Sequence, residues 1–121
     1  VQTTIIVIAA VFFLGMGVYA LIAPAALAKP FRIVVDAPES RSEVRAVYGG
    51  FGLAIAAVLA AAAIDAGGIR TGAVITVAAA LAGMALGRLL SRLADKATAF
   101  YPIWFYFWVE AITAALLFVS S

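Results

Sequence analysis

Four apolar runs, separated by short polar breaks, take up most of this 121-residue chain. Each approaches the ~20 residues that a helix needs to cross a ~30 Å hydrocarbon core. Four crossings use about 80 residues and leave no room for a soluble domain. A soluble domain of this length has no use for 67% hydrophobic and only 12% charged residues. Helices are the default in lipid because each satisfies its own backbone hydrogen bonds. A transmembrane barrel would show ~10-residue alternating strands, and these runs do not alternate. The expected fold is all-α: one integral membrane domain over 1–121, a four-helix transmembrane bundle with short loops.

The spans are expected at about 4–22, 44–64, 71–90 and 102–119. The first ends at Pro24, with Gly15 and Gly17 inside it. It reads as a span rather than a cleaved leader, because no basic region precedes it and Ala23-Pro24-Ala25 only loosely resembles a cleavage site. The chain begins at Val1 without an initiator methionine, so a few residues are expected to precede it. Ser40-Arg41-Ser42-Glu43 has the form of a capping box and predicts a helix start near Arg41. Asp65-Ala66-Gly67-Gly68 ends that helix, the third span continues to about Leu93, and Pro102 opens the fourth. The first connection, Ala23–Ser40, holds three prolines. Its Ala25–Lys29 segment is expected to form one turn at the interface, with Phe31, Ile33, Val34 and Val35 dipping toward the headgroups. A tight surface loop is the plainer reading of it, an amphipathic gate or docking element the sharper one.

Lys29, Arg32, Arg41 and Arg45 flank the first connection, and Arg88, Arg92 and Lys96 flank the third. The middle connection has only Arg70. This asymmetry places the first and third connections in the cytoplasm and both termini outside. The chain has no histidine and no cysteine, which removes thiolate and imidazole chemistry and their metal sites. No cofactor or metal is expected. A net charge of +2 is too small to imply nucleic acid; the expected surroundings are membrane lipids, with a homo-oligomer or larger membrane complex compatible.

Glu110 breaks the apolar pattern, eight positions after Pro102 in the middle of the fourth run. An ionised side chain at the bilayer centre is costly, roughly 2.5–3.5 kcal/mol for Asp, Lys or Arg on insertion scales, so it normally faces a partner. The predicted topology brings Tyr19, Arg45, Tyr48, Arg88, Tyr106 and Glu110 toward one depth. Helical side chains lean toward their own N-terminus. In antiparallel spans three and four, Arg88 and Glu110 therefore lean toward each other, with an axial offset of roughly 5–8 Å. Arg88 is the expected partner, and Arg45 a second donor or rim charge. The pair either fixes helix register or floors a ligand pocket. Tyr106, Glu110 and Thr113 form one stripe; Tyr101 and Trp104 suit an interfacial belt, while the deeper Trp108 suits an aromatic-lined pocket.

Small residues mark close helix approach. Gly83 and Gly87 form a GxxxG match; in span two Ala46, Gly50 and Ala54 form one small-residue ridge and Gly52, Ala56 and Ala60 another, with Gly49 a further packing glycine. These glycines are expected to pack helix against helix, either within the bundle, the favoured reading, or between protomers.

The R-x-x-Y-G-G element (Arg45, Tyr48, Gly49, Gly50), the Gly87-Arg88 pair and Glu110 together resemble a family of small four-helix bacterial membrane proteins of unknown function, distantly similar to the DoxX-like group. The resemblance covers nearly the whole chain. It implies a four-helix membrane fold and the bacterial inner (cytoplasmic) membrane, and no established activity. The favoured function is a non-enzymatic protein that binds a hydrophobic or amphipathic ligand or serves as an accessory subunit. The alternative is a small proton-coupled transporter of amphipathic cations using Glu110. An enzyme using Glu110 with Tyr48 or Tyr106 is the least favoured reading.

Overall fold

In the computed structural model, which describes residues 1–121, the apolar runs form four long helices and there is no strand. They are α1 (Gln2–Ile22), α2 (Pro38–Ala63), α3 (Arg70–Ala94) and α4 (Phe100–Val119), each long and apolar enough to cross a membrane.

The helix ends follow local chemistry. Helix α2 starts at Pro38, ahead of the expected Arg41. Proline suits the first helical position, where its missing N–H and fixed φ are no handicap. Ser40 then lies in the first turn: its Oγ accepts from the Ala37 N–H at 3.1 Å, and its hydroxyl donates to the Ala37 carbonyl at 3.0 Å. At the far end, Asp65, Gly67 and Gly68 all have left-handed backbone, with φ of 51°, 61° and 72°. Glycine adopts that region without a Cβ penalty, and Asp is among the few other residues that tolerate it. Asp65 Oδ1 accepts the Arg70 N–H at 3.0 Å and ties this turn to the start of α3.

Arg70 does more than bias orientation. Its Nε donates to the Ala62 carbonyl at 2.9 Å and its Nη2 to the Ala63 carbonyl at 2.6 Å. Those carbonyls belong to the last turn of α2, which has no intrahelical donors left. Arg45 does the same for α1, with Nε donating to the Leu21 carbonyl at 3.1 Å.

The helices pack in chain order, α1 on α2 and α3 on α4 most extensively, and α1 touches α4 to close the ring. The main core includes Ile6, Phe13, Leu59, Val74, Leu81 and Leu117. They run from the end of the bundle nearest the chain termini to its middle, where Phe13 and Leu81 lie. The other half has a small cluster, Ala20, Ala28, Val35 and Val44, to which α3 and α4 contribute nothing. The basic loops are at that less filled end.

The close seam is between α1 and α2. A Cβ on Gly17 would lie 2.9 Å from the Gly49 carbonyl oxygen and from the Leu53 nitrogen; one on Gly52 would lie 3.0 Å from Gly17 Cα. Gly49 faces Leu21 and Gly17 across this seam. Over Arg45–Gly50 helix α2 is wound as a π-helix. The expectation for Gly83 and Gly87 needs correction: a Cβ at either would meet nothing within 4 Å. Helix α3 turns Val74, Val77, Ala78, Leu81 and Ala85 inward, which leaves both glycines on its outer face. Gly50 is likewise open, its nearest neighbour being the Arg45 carbonyl oxygen at 3.8 Å.

Candidate functional site

The antiparallel α3 and α4 meet at a charged pair. Arg88 Nε donates to Glu110 Oε1 and Nη2 donates to Oε2, both at 2.8 Å. This is the fork geometry that makes Arg–carboxylate contacts strong and directional. Glu110 is 5% exposed, whereas the Arg88 side chain is 20% exposed. The carboxylate is therefore enclosed, and the guanidinium is its link to the open end of the bundle.

Two rings cover the guanidinium. Arg88 Cζ lies 5.7 Å from the ring centroid of Phe31 and 6.0 Å from that of Tyr106. The rings pack on each other at 5.4 Å. At these distances each ring attracts the cation through its quadrupole. Phe31 comes from the first connection, and it is drawn into the bundle rather than toward headgroups. Pro30 and the left-handed Arg32 (φ 59°) turn the chain on either side of it. Val35 is also buried, beside Ala20, Ala28 and Val44, while Ile33 and Val34 stay exposed.

The remaining sequence candidates divide. Tyr106 and Glu110 share the inward stripe of α4 with Ala114 and Leu117. Tyr106 covers Arg88, whereas Tyr48 is exposed and makes no hydrogen bond to the pair. Arg45 is not a second donor to Glu110; it is exposed and committed to the Leu21 carbonyl, because its place near the start of α2 puts it beside the end of α1. Tyr19 is 49% exposed and stands at the rim. Trp108 faces outward, 53% exposed, so it lines no internal pocket.

Two adjoining clefts open beside the pair at the basic end. One, of about 270 Å³, is bounded by Arg88, Ser91, Arg92, Lys96, Ile103 and Trp104. The other, of about 530 Å³, lies between Phe31 and Arg32 on one side and Tyr101 and Pro102 on the other. They share Ala97, Thr98 and Ile103. Cations, hydroxyls and aromatic faces can hold a molecule with one polar and one apolar end.

Sequence reasoning missed the roles of Phe31 and Arg70. Phe31 ends a short 3-10 turn, Lys29–Phe31, too brief for periodicity to give its direction. Arg70 had a readable signal: a lone cation within ten residues of a helix C-terminus that ends in bare carbonyls.

A family model described as Domain of unknown function (DUF4345) matches residues 1–121. No curated protein and no solved structure matches the chain.

Proposed function

The chain belongs to this DUF4345 family, whose description assigns no activity, and from the geometry we propose a non-enzymatic integral membrane protein that binds a hydrophobic or amphipathic ligand at its basic end. The carrying observation is the unequal filling of the bundle. The apolar core runs from the terminus side to mid-bundle and gives way there to the Arg88–Glu110 pair, whereas the basic end holds the pair's aromatic cover and two open clefts. Cation transport through Glu110 fits less well. A substrate cation would have to displace a guanidinium held by two charge-assisted hydrogen bonds. The accessory-subunit reading draws support from Gly83 and Gly87, which leave an open path for another helix on the outside of α3.

The intact protein, released from membranes in mild detergent, should retain an amphiphile visible in native mass spectra as a discrete adduct. Phe31→Ala should weaken retention about tenfold, the effect of losing roughly 1–2 kcal/mol of aromatic contact. A folded wild-type chain without adduct in every detergent tried would overturn the proposal.

The reading includes an orientation, with the clefts on the cytoplasmic side of a bacterial inner membrane and both termini outside. Its support is the clustering of Lys and Arg at one end of the bundle. Single cysteines placed at the exposed Ala66 and Ala97 should react with a membrane-impermeant reagent from opposite faces, Ala97 only from the cytoplasm. Labelling of Ala97 from the periplasm would reverse the orientation.

A further inference from the structure

We propose that the smaller cleft binds the anionic headgroup, a phosphate or carboxylate, of an amphiphile whose apolar chain leaves toward the bilayer. This deepens the binding function proposed above and rests on it.

Arg88 and Arg92 stand one turn apart on α3, and Lys96 follows just past the helix end. All three line the cleft, with the hydroxyls of Ser91 and Thr98. Arg88 uses Nε and Nη2 on Glu110, which leaves Nη1 available. Arg92 makes only a long contact, 3.4 Å from Nη1 to the Asp95 carbonyl. One carboxylate, Asp95, shares the cleft, and its Oδ1 is engaged by the Lys96 N–H at 2.8 Å. With Arg88 balanced by Glu110, the cleft presents two further cations, Arg92 and Lys96, against one partly satisfied anion, Asp95.

Cations at a helix C-terminus are expected on dipole grounds alone, so their charge does not identify a ligand. The opposite wall supplies the second half of the case. Ile103 and Trp104 face the cations across the cleft, and the flanking Leu89 and Leu93 of α3 are 41% and 83% exposed. A free inorganic anion gains nothing from that apolar margin. An anion with an attached chain uses both walls, and basic pockets between spans at this level suit phosphate headgroups. Glu110 has a definite part here: it holds Arg88 in place while leaving one guanidinium nitrogen to the ligand, so Arg88 is a positioned binding residue.

The test uses the whole protein in detergent, with binding followed by native mass spectrometry during titration. The probes are dioleoylphosphatidylglycerol, dioleoylphosphatidylcholine and inorganic phosphate. Phosphatidylglycerol should bind about tenfold more tightly than phosphatidylcholine, and the double variant Arg92→Gln/Lys96→Gln should remove most of that difference. Both residues are exposed, so the fold should persist. The exchange Arg92→Lys/Lys96→Arg should restore binding. Trp104→Ala should weaken phosphatidylglycerol and leave weak phosphate binding as it was. Equal affinity for both lipids, unchanged in the double variant, would sink the anionic headgroup and leave an amphiphile site standing. Inorganic phosphate binding as tightly as phosphatidylglycerol would sink the apolar half of the proposal. No binding of any lipid would remove this inference together with the function it rests on.

Discussion

Arg88→Met and Glu110→Gln, made singly, should each destabilise the bundle by about 3–5 kcal/mol, and the two together should cost far less than the sum. Each single change strands a charged or polar group that the other would have satisfied. Glu110 is enclosed by protein, so loss of Arg88 leaves a carboxylate with no donor, and the larger effect is expected there. Loss of Glu110 leaves a guanidinium that is partly open to the basic end, so water can take up some of the deficit and the effect should fall toward the lower figure. With both groups neutral, no unpaired charge remains. Thermal or denaturant unfolding in one detergent, run as a double-mutant cycle, gives the coupling directly. Additive losses would mean that the two side chains do not act as a pair. The same double variant also separates roles. If it folds well and keeps its bound amphiphile, the pair is structural; if it folds well and loses the amphiphile, the pair is part of the site.

Gly17→Leu should be among the most damaging substitutions on an apolar face of this protein. Overpacking commonly costs about 1–3 kcal/mol, and this position lies at the upper end. The atoms that a side chain would strike are the Gly49 carbonyl oxygen and the Leu53 nitrogen, both 2.9 Å from its Cβ. Backbone atoms cannot rotate away, so α1 and α2 would have to separate along the seam. Gly49→Leu should be milder, because its nearest neighbour is the mobile end of Leu21. Gly83→Leu and Gly87→Leu should be neutral or slightly stabilising in the monomer. They add a side chain to open space and replace a poor helix former, a gain of up to ~1 kcal/mol each. Melting temperatures of the four variants in one detergent decide the matter. An undisturbed Gly17→Leu beside an early-melting Gly83→Leu would move the seam from α1–α2 to α3.

Membership of a family without assigned activity leaves the functional reading to physical chemistry. The chain supplies neither thiol nor imidazole, and its buried ionised pair satisfies itself. What the basic end does offer is space, cations and aromatic faces, which is why binding is favoured over catalysis or transport.

The sequence by itself determined the class and size of the fold. Length and polarity of the apolar runs decide it, because a helix crossing lipid has a fixed rise per residue and no other way to satisfy its backbone. Glu110 could be recognised as a residue requiring a partner for the same reason: a lone carboxylate among apolar neighbours is costly wherever the helix points. Tertiary structure alone decided which small residues touch. Gly17, Gly49, Gly83 and Gly87 are locally alike, and each helix has glycine or alanine on several faces. Rotation about the helix axis is set by packing against neighbours, and in so uniformly apolar a chain the periodic signal that would reveal it is weak. The same holds for Phe31 and for Arg45 at the end of α1. Phe31 reaches Arg88 from a short 3-10 turn 57 positions away. Arg45 finds its carbonyl where a neighbouring helix ends, a placement that no spacing along the sequence encodes, whereas Arg70 lies close along the chain to the carbonyls it caps.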